Sequence, residues 1–362
     1  MATNKNQHFV PRCYLRPFTV NTDGLAINLY NIDRQKLIPN APVKNQCSGN
    51  YFYGQDDLLE KAIQMIEGEY AGLLQRVCKP NYVLTDNDKN TFRMFWLFQH
   101  LRTESAAKTA VAMSNNMAEV IGLTGSYFRI QIKEAVMVAI RAFAENMHIL
   151  DDLKVCLIKN KTNIPFITSD DPAVLTNKWW LTDNRTKGRS FGLTSAGNIF
   201  LLPITPKLLC IGYDGDVYSI PHKAGTIDIR DEKDIASFNQ HQLLNCRANL
   251  FVHDVAYSEY INNTYLKFAN LRPATKHLFN YAVLDGFDGT HKRYRVVNSK
   301  DSEEHREAII HTQTIHPVPS SWPRQITLRN KGKVYTNGSG LGYVRYKTTM
   351  QPTENPFHKE ST

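Results

Sequence analysis

The stretch that decides the fold stands near the start of the chain. It reads Gln7-His8-Phe9-Val10-Pro11-Arg12-Cys13-Tyr14-Leu15-Arg16-Pro17-Phe18. One histidine, two arginines, three aromatic residues and two prolines fall within these twelve positions. That mixture is too polar for a targeting peptide and too aromatic for a disordered tail. We therefore expect the segment to thread through the body of the fold and to deliver His8 and Arg16 to a polar pocket.

Composition limits the class of protein. The chain has 362 residues, of which 42% are apolar, as is typical of a globular fold with a large core. It contains no apolar run near the roughly 20 residues that span a bilayer. The polar residues 1–7 are unlike a secretory signal, so we expect a cytoplasmic protein without membrane contact.

The six cysteines are scattered and form no C-x-x-C pair, which favours reduced, buried thiols over disulfides or zinc. Cys13 lies beside Arg12 and near His8 in the sequence. A nucleophilic thiol and a packed thiol are both open for Cys13, and the packed thiol is favoured.

Apolar periodicity predicts three long helices in the first part of the chain, at about 56–79, 86–121 and 126–148. Short segments rich in β-forming residues follow at 154–158, 166–168, 198–202 and 208–213. Two more helices are expected at 231–246 and 258–268. This order predicts an α+β fold in which long helices pack on a mostly antiparallel sheet.

The composition and the predicted local structure of the chain change after residue 270. We expect a core domain over residues 1–270 and a basic C-terminal extension, rich in strands and loops, over residues 271–362. The net charge of the chain is +9, and residues 308–353 contain no acidic residue. Arginine and lysine recur there at positions 324, 329, 331, 333, 345 and 347. A basic region of this kind predicts contact with nucleic acid.

Two predicted helices carry polar residues next to their apolar stripes. Glu60 and Glu67 lie two turns apart on nearly one face, and we expect Glu60 to form a salt bridge and Glu67 to enter a site. Gly68 and Gly72 share a face of this helix, which close approach by another element would explain. Gln99 and Arg102 lie one turn apart on the next helix, and a buried arginine there needs an acid or an anionic ligand.

A polar turn follows the strand predicted at 166–168. Ser169 and Asp170 lie in this turn, and residues at such positions often serve function. The same residue types also cap backbone amides in ordinary turns, so both interpretations stay open. Asn239, on a later helix, is a weaker candidate for the same polar network.

These segments together resemble a bacterial family known as domain of unknown function 4238. The shared features are the opening His-aromatic-Val-Pro segment, the spaced glutamates, the Arg-Thr pair, the Ile-Thr-Ser-Asp-x-Pro turn, the Pro-x-(Ser/Thr)-Pro bend and a late helix with asparagine. They stand here at His8–Phe18, Glu60 and Glu67, Arg102–Thr103, Ile167–Pro172, Pro203–Pro206 and Asn239. The likeness covers roughly residues 7–255 and implies where a site lies, not what it does.

Three functional hypotheses follow. The first is a hydrolase of nucleic-acid phosphodiesters, acting as a toxin or a phage-defence effector. Its catalytic residues would be His8, Glu67 and Asp170, and its substrate-binding residues Arg16, Gln99, Arg102, Ser169 and Asn239. The carboxylates would orient His8 or hold a divalent metal ion, whose presence the sequence leaves open.

The second hypothesis is a non-catalytic module that binds nucleic acid or protein, and the third is a site for a small anionic metabolite. Walker, G-x-G-x-x-G, G-x-S-x-G and H-E-x-x-H motifs are absent from the sequence.

Overall fold

The computed structural model describes residues 5–120, 129–289, 291–298, 307–352 and 355–362. The helices within these ranges are α1 (Arg12–Leu15), α2 (Asp57–Val77), α3 (Asp86–Leu101), α4 (Glu104–Val120), α5 (Ile132–Asn146), α6 (Lys178–Thr182), α7 (Glu232–Asn245) and α8 (Ser258–Phe268). The helices predicted at 56–79, 231–246 and 258–268 are confirmed. The predicted helix ends at residues 121 and 126–128 lie outside the described residues.

The described strands are mostly short; four precede α2 and the others follow α5. The first twelve are β1 (Asn6–His8), β2 (Ala26–Asn31), β3 (Lys36–Pro42), β4 (Ser48–Asn50), β5 (Lys154–Asn160), β6 (Thr168–Ser169), β7 (Val174–Thr176), β8 (Ile199–Thr205), β9 (Leu208–Tyr213), β10 (Tyr218–Ser219), β11 (Thr226–Ile229) and β12 (Asn249–Val252). The later ones are β13 (His277–Asp288), β14 (His291–Val296), β15 (Ala308–Thr314), β16 (Thr327–Leu328), β17 (Lys333–Thr336) and β18 (His358–Ser361).

Three larger sheets organise these strands. The central one has five strands in the order β11-β5-β9-β8-β7, with β11 and β5 parallel and the other pairs antiparallel. A four-stranded antiparallel sheet has the order β3-β2-β12-β6, and a three-stranded one has the order β14-β13-β15. The predicted α+β class with mostly antiparallel strands is confirmed.

The central sheet is covered on both faces, because adjacent residues of one strand enter different clusters. Leu157 on β5 and Phe200 on β8 join the cluster formed with α2 and α3, which includes Tyr70 and Phe95. Their neighbours Ile158 and Leu201 join a second cluster with Trp179. Side chains of a strand alternate between the two faces of a sheet, so the long helices cover one face and later segments the other.

One predicted helix is divided in the structure. The prediction of a continuous helix over 86–121 is wrong, because α3 ends at Leu101 and α4 begins at Glu104. Thr103 starts the second helix, and its Oγ1 accepts a hydrogen bond from the Ala106 N–H (3.1 Å). Arg102 has turned inward instead of continuing the helix surface, and it is 1% exposed.

Part of the predicted C-terminal extension packs on the second cluster. Ile326, Val334 and Val344 are buried there. Arg345 is also buried, and its Nε donates to Asp152 Oδ2 (2.9 Å). This part of the chain is therefore fastened to the central sheet, while the 270/271 domain boundary stays a prediction.

The described helices include none that is long and apolar enough to span a membrane. All six cysteines are free thiols, as their spacing predicts.

Candidate active site

A cavity of about 330 Å³ lies between β1 and α2. We call it the N-terminal cavity, and its chemistry comes from His8, Arg12, Cys13, Tyr53, Glu60 and Glu67. The opening segment of the chain thus meets the helix that carries the spaced glutamates, as the sequence predicts.

Hydrogen bonds hold the opening segment in place. β1 pairs antiparallel with β4, aligning His8 with Ser48. The side chain of Gln7 accepts from the Tyr53 N–H (2.7 Å) and donates to the Gly54 carbonyl (3.0 Å). Tyr53 Oη in turn donates to the His8 carbonyl (3.2 Å). The backbone beside the cavity is therefore fixed by buried polar contacts, which position His8.

Residues after β1 anchor the segment in the protein core. Tyr14 on α1 is fully buried, and its hydroxyl donates to the Pro203 carbonyl and shares a hydrogen bond with Thr168 Oγ1, both at 2.7 Å. Its ring packs beside Tyr70 and Phe95. The opening segment is thus part of the core rather than a surface arm.

Arg102 is the buried cation behind the cavity. Its Nη1 donates to Glu67 Oε1 (2.8 Å) and its Nε to Gln99 Oε1 (3.1 Å), while its guanidinium lies over the Phe98 ring. Gln99 Nε2 donates to the Phe9 carbonyl (2.8 Å). Gln99 and Arg102 therefore connect the opening segment to Glu67. Glu67 is the acidic partner that a buried arginine requires.

Two nitrogen atoms at this site are enclosed and have no hydrogen-bond partner among the described residues. They are His8 Nε2 and Arg102 Nη2. An enclosed polar atom without a partner costs about 1–3 kcal/mol, so such atoms often mark a functional site. Burial lowers the pKa of His8, the charges of Arg12 and Arg102 lower it further, and a Val43 backbone hydrogen bond and Glu67 oppose them. His8 is therefore neutral at pH 7 and able to accept a proton.

The other reactive groups at the cavity have defined states or partners. Burial raises the pKa of the Cys13 thiol to about 11, so it is protonated at pH 7 and is a packed thiol. Asp56 accepts from the Leu58 and Leu59 N–H groups and caps α2. Glu60 Oε1 accepts from Gln64 Nε2 (3.4 Å). Within the described ranges, no three His, Cys, Asp or Glu side chains converge in a way that could hold a metal ion.

Gly68 leaves open space beside Glu67. A Cβ built at this position would meet nothing within 4 Å, and at Gly72 it would meet only Arg76 Nη1 at 3.5 Å. The expectation that another element approaches these glycines closely is wrong. The space at Gly68 is part of the N-terminal cavity instead.

Four predicted site residues lie away from this cavity. Arg16 is exposed, and its Nε donates to the Thr22 carbonyl (3.2 Å). Asp170 is buried, and its carboxylate accepts from the backbone N–H groups of residues 247–249 at 2.8–2.9 Å. Through these hydrogen bonds Asp170 stabilises the turn before β12.

Ser169 and Asn239 also hold backbone. Ser169 Oγ donates to Gln242 Oε1 (2.8 Å), and Asn239 bridges the Ile167 N–H (3.1 Å) and the Pro165 carbonyl (2.8 Å). Together they fasten β6 to α7. The catalytic and substrate-binding roles expected for the four distant residues stay predictions.

Two residues at the cavity escaped the sequence analysis. Arg12 follows His8 by four positions, and its proximity to the histidine was a signal for a shared site. Tyr53 lies in an aromatic turn with no polar pattern around it, so its contact with the opening segment could not be found from sequence.

A known family model matches the N-terminal part of the chain. The family model described as "Protein of unknown function (DUF4238)" matches residues 6–255. No curated protein and no solved structure matches the chain. The matched range contains the whole N-terminal cavity together with Gln99 and Arg102.

Proposed function

The chain belongs to the DUF4238 family, and on that premise we propose that its N-terminal cavity is the active site of a hydrolase acting on phosphodiester bonds. The observation that carries the proposal is His8, whose neutral imidazole lines the cavity with an unpartnered Nε2. A general base needs a group of this kind, with a pKa below the working pH and a free acceptor atom.

Proton transfer at His8 would drive the reaction. His8 Nε2 takes a proton from the attacking water while the water oxygen bonds to phosphorus. The bond from phosphorus to the leaving sugar oxygen breaks, and that oxygen receives the proton from His8. Because Nε2 is enclosed in the free protein, this step requires the imidazole to move towards the cavity when substrate binds.

Charge at the cavity defines how the phosphate approaches. Arg12 offers the cation that would hold a non-bridging phosphate oxygen. Asp56 and Glu60 lie on the α2 side and repel an anion, so the phosphate enters from the Arg12 side. Glu67, held by Arg102, contributes a fixed negative charge that stabilises the imidazolium formed during the step.

Nucleic acid is the phosphodiester substrate that the net charge of +9 favours. Arg345, Lys347 and Arg324 form ion pairs with acids of the core, so the strand would contact the exposed Lys331 and Lys333. A cytoplasmic location and a role as a toxin or phage-defence effector belong to the same proposal.

A cleavage assay tests the proposal. Full-length protein is incubated with labelled single-stranded RNA, single-stranded DNA and duplex DNA, with Mg²⁺ and with EDTA. We expect cleavage by wild type and by His222→Ala, whose histidine is exposed. His8→Ala and His8→Gln should lose at least about 100-fold in rate.

Equal cleavage by His8→Ala, or no cleavage of any substrate, contradicts the hydrolase. Salt-sensitive binding without cleavage, weakened in Lys331→Glu/Lys333→Glu, would favour the non-catalytic module instead. Truncation after residue 270 is unsuitable for this test, because Val334 and Val344 are part of a buried cluster.

A further inference from the structure

A second cavity, of about 370 Å³, lies where residues beyond the family match meet the core. We call it the seam cavity. One wall comes from the end of α3 and from α4, and the other from the start of β13 and the end of β15. It has no lining residue in common with the N-terminal cavity.

Three histidines line the seam cavity: His100, His277 and His316. Burial lowers the pKa of each below its usual value, so all three are neutral at pH 7. Burial is the main reason why the pKa of His316 falls to about 4; a Phe191 backbone hydrogen bond opposes this fall, and charges on His100 and His277 would add to it. The cavity thus offers imidazole groups as hydrogen-bonding partners rather than as charges.

The hydrogen bonds of two histidines define what they offer. His100 Nδ1 lies 2.9 Å from the Ala173 carbonyl, and His316 Nε2 lies 2.9 Å from the Phe191 carbonyl. A carbonyl oxygen only accepts, so each of these nitrogens carries the proton and leaves the other ring nitrogen as an acceptor.

His277 is the group that indicates a ligand. Both of its ring nitrogens are enclosed, and neither has a hydrogen-bond partner among the described residues. Leaving two enclosed polar atoms unpaired is costly, and a ligand with complementary groups would remove that cost. The His277 ring lies 6.4 Å from the Phe279 ring, a contact that leaves both nitrogens unpaired.

Cations outnumber anions around the seam cavity. Arg272 and Lys276 line it, and Asp171 is its one lining carboxylate within the described ranges. Arg272 donates to the Leu243 and Cys246 carbonyls, which carry no net charge, and Lys276 Nζ is 4.0 Å from Asp171. An adjoining hollow shares Arg272, Lys276 and His277 and adds Lys108 and Arg247.

The remaining lining is mostly apolar, with Met113, Leu175 and Ile315 among its residues, and its polar members are Ser105, Thr109, Asn245 and Thr314. Apolar walls, a few hydrogen-bonding groups at defined places and an excess of positive charge suit a small ligand with a flat ring and an anionic group. We infer that the seam cavity binds a nucleoside monophosphate, with the base among the three histidines and the phosphate towards Lys276 and Arg272.

This inference does not depend on the proposed hydrolase, because binding is measured without turnover. Isothermal titration calorimetry on the full chain uses AMP, GMP, CMP and UMP as ligands. The matching nucleosides and inorganic phosphate are the separate probes of ring and anion. We expect saturable binding of at least one monophosphate, with the nucleoside and phosphate each at least about tenfold weaker.

Variants locate the bound ligand. Lys276→Ala and His277→Phe should weaken binding at least about tenfold, and Lys333→Ala, an exposed lysine elsewhere, should not. His277→Phe removes no hydrogen bond of the fold and keeps the ring, so circular dichroism should match wild type. Absence of saturable binding of all four monophosphates, or unchanged binding in both variants, overturns the inference.

Discussion

Arg102 Nη1 donates to Glu67 Oε1 at 2.8 Å and joins the C-terminal end of α3 to the middle of α2. The arginine side chain is 1% exposed and the glutamate 26%, so water screens this pair only from the glutamate side. Gln99 extends the contact to the opening segment of the chain. The elements around the N-terminal cavity therefore depend on one buried cation.

Glu67→Gln should be strongly destabilising. It removes the negative charge that compensates buried Arg102, and breaking a buried ion pair costs about 3 kcal/mol. Urea unfolding measures the free energy of unfolding. The control is Glu69→Gln on the exposed side of the same helix, which should change stability little. A loss equal to that of the control would show that Arg102 needs no acid.

Asp88 should make stability sensitive to acid. Burial alone would raise its pKa, but hydrogen bonds from Tyr82, Thr85 and Arg76 lower it to about 2. A carboxylate whose pKa is lowered by folding stabilises the fold at pH values above its unfolded pKa of about 4. This stabilisation is lost as the pH falls towards 2. Asp88→Asn should cost about 2 kcal/mol at neutral pH.

Chemical unfolding across this pH range checks the prediction for Asp88. The difference between wild type and Asp88→Asn should shrink as the pH falls from about 4 to about 2. Asp86→Asn, at an exposed position two residues earlier on the same helix, should show only a slight difference. A constant difference at every pH would contradict the assignment.

Two glycine substitutions separate stability from function. Gly68→Ala and Gly72→Ala should each raise the free energy of unfolding by up to about 1 kcal/mol, because alanine is the better helix former and neither new methyl group clashes. Only Gly68 lines the N-terminal cavity. The thermal unfolding temperature should therefore rise in both variants, whereas the rate of substrate cleavage should fall only in Gly68→Ala. Equal activity in both variants would argue against this cavity as the active site.

The pH profile of cleavage should report His8. Because its folded pKa is lowered below 6.5, the acid limb of kcat/KM should lie below pH 6.5. Arg12→Gln removes a charge that lowers this pKa, and the acid limb should then move to higher pH. Arg34→Gln, on a distant exposed turn, should leave the limb in place. An unshifted limb in Arg12→Gln would exclude His8 as the titrating base.

Arg345 should be needed to keep the C-terminal part attached. It is buried, pairs with Asp152 and also donates to the Ile149 and Leu193 carbonyls. Arg345→Met should lower the free energy of unfolding by about 3 kcal/mol because Asp152 loses its partner. Lys333→Met, at an exposed site, is the comparison. Similar unfolding curves for the two variants would mean that the attachment depends on apolar contacts alone.

Local pattern was sufficient for much of the fold. The strand predicted at 208–213 and the helix predicted at 258–268 match β9 and α8, because each is bounded by clear turn signals. The break between α3 and α4 could not be predicted, since helix-forming residues continue through it. At the break, Thr103 accepts from the Ala106 N–H and Arg102 pairs with Glu67 of another helix, and the second of these contacts is tertiary.

Residue type and helical spacing singled out several residues of the candidate site, although these lie far apart along the chain. His8, Glu67, Gln99 and Arg102 are brought together or linked in the structure. Asp170 is not, because a strand followed by a polar turn looks the same whether the carboxylate serves chemistry or holds backbone amides. The seam cavity was missed because no local pattern around His100, His277 or His316 connects these three histidines.

The end of α3 has a consequence for how the two cavities communicate. Gln99 and Arg102 support the N-terminal cavity, whereas His100 lines the seam cavity and Thr103 bonds to Asp171 beside it (3.0 Å). The five residues 99–103 thus contact residues around both cavities. Occupation of either cavity would bias the same turn of backbone, so the affinities of the two sites would be thermodynamically linked, and by the same factor in both directions.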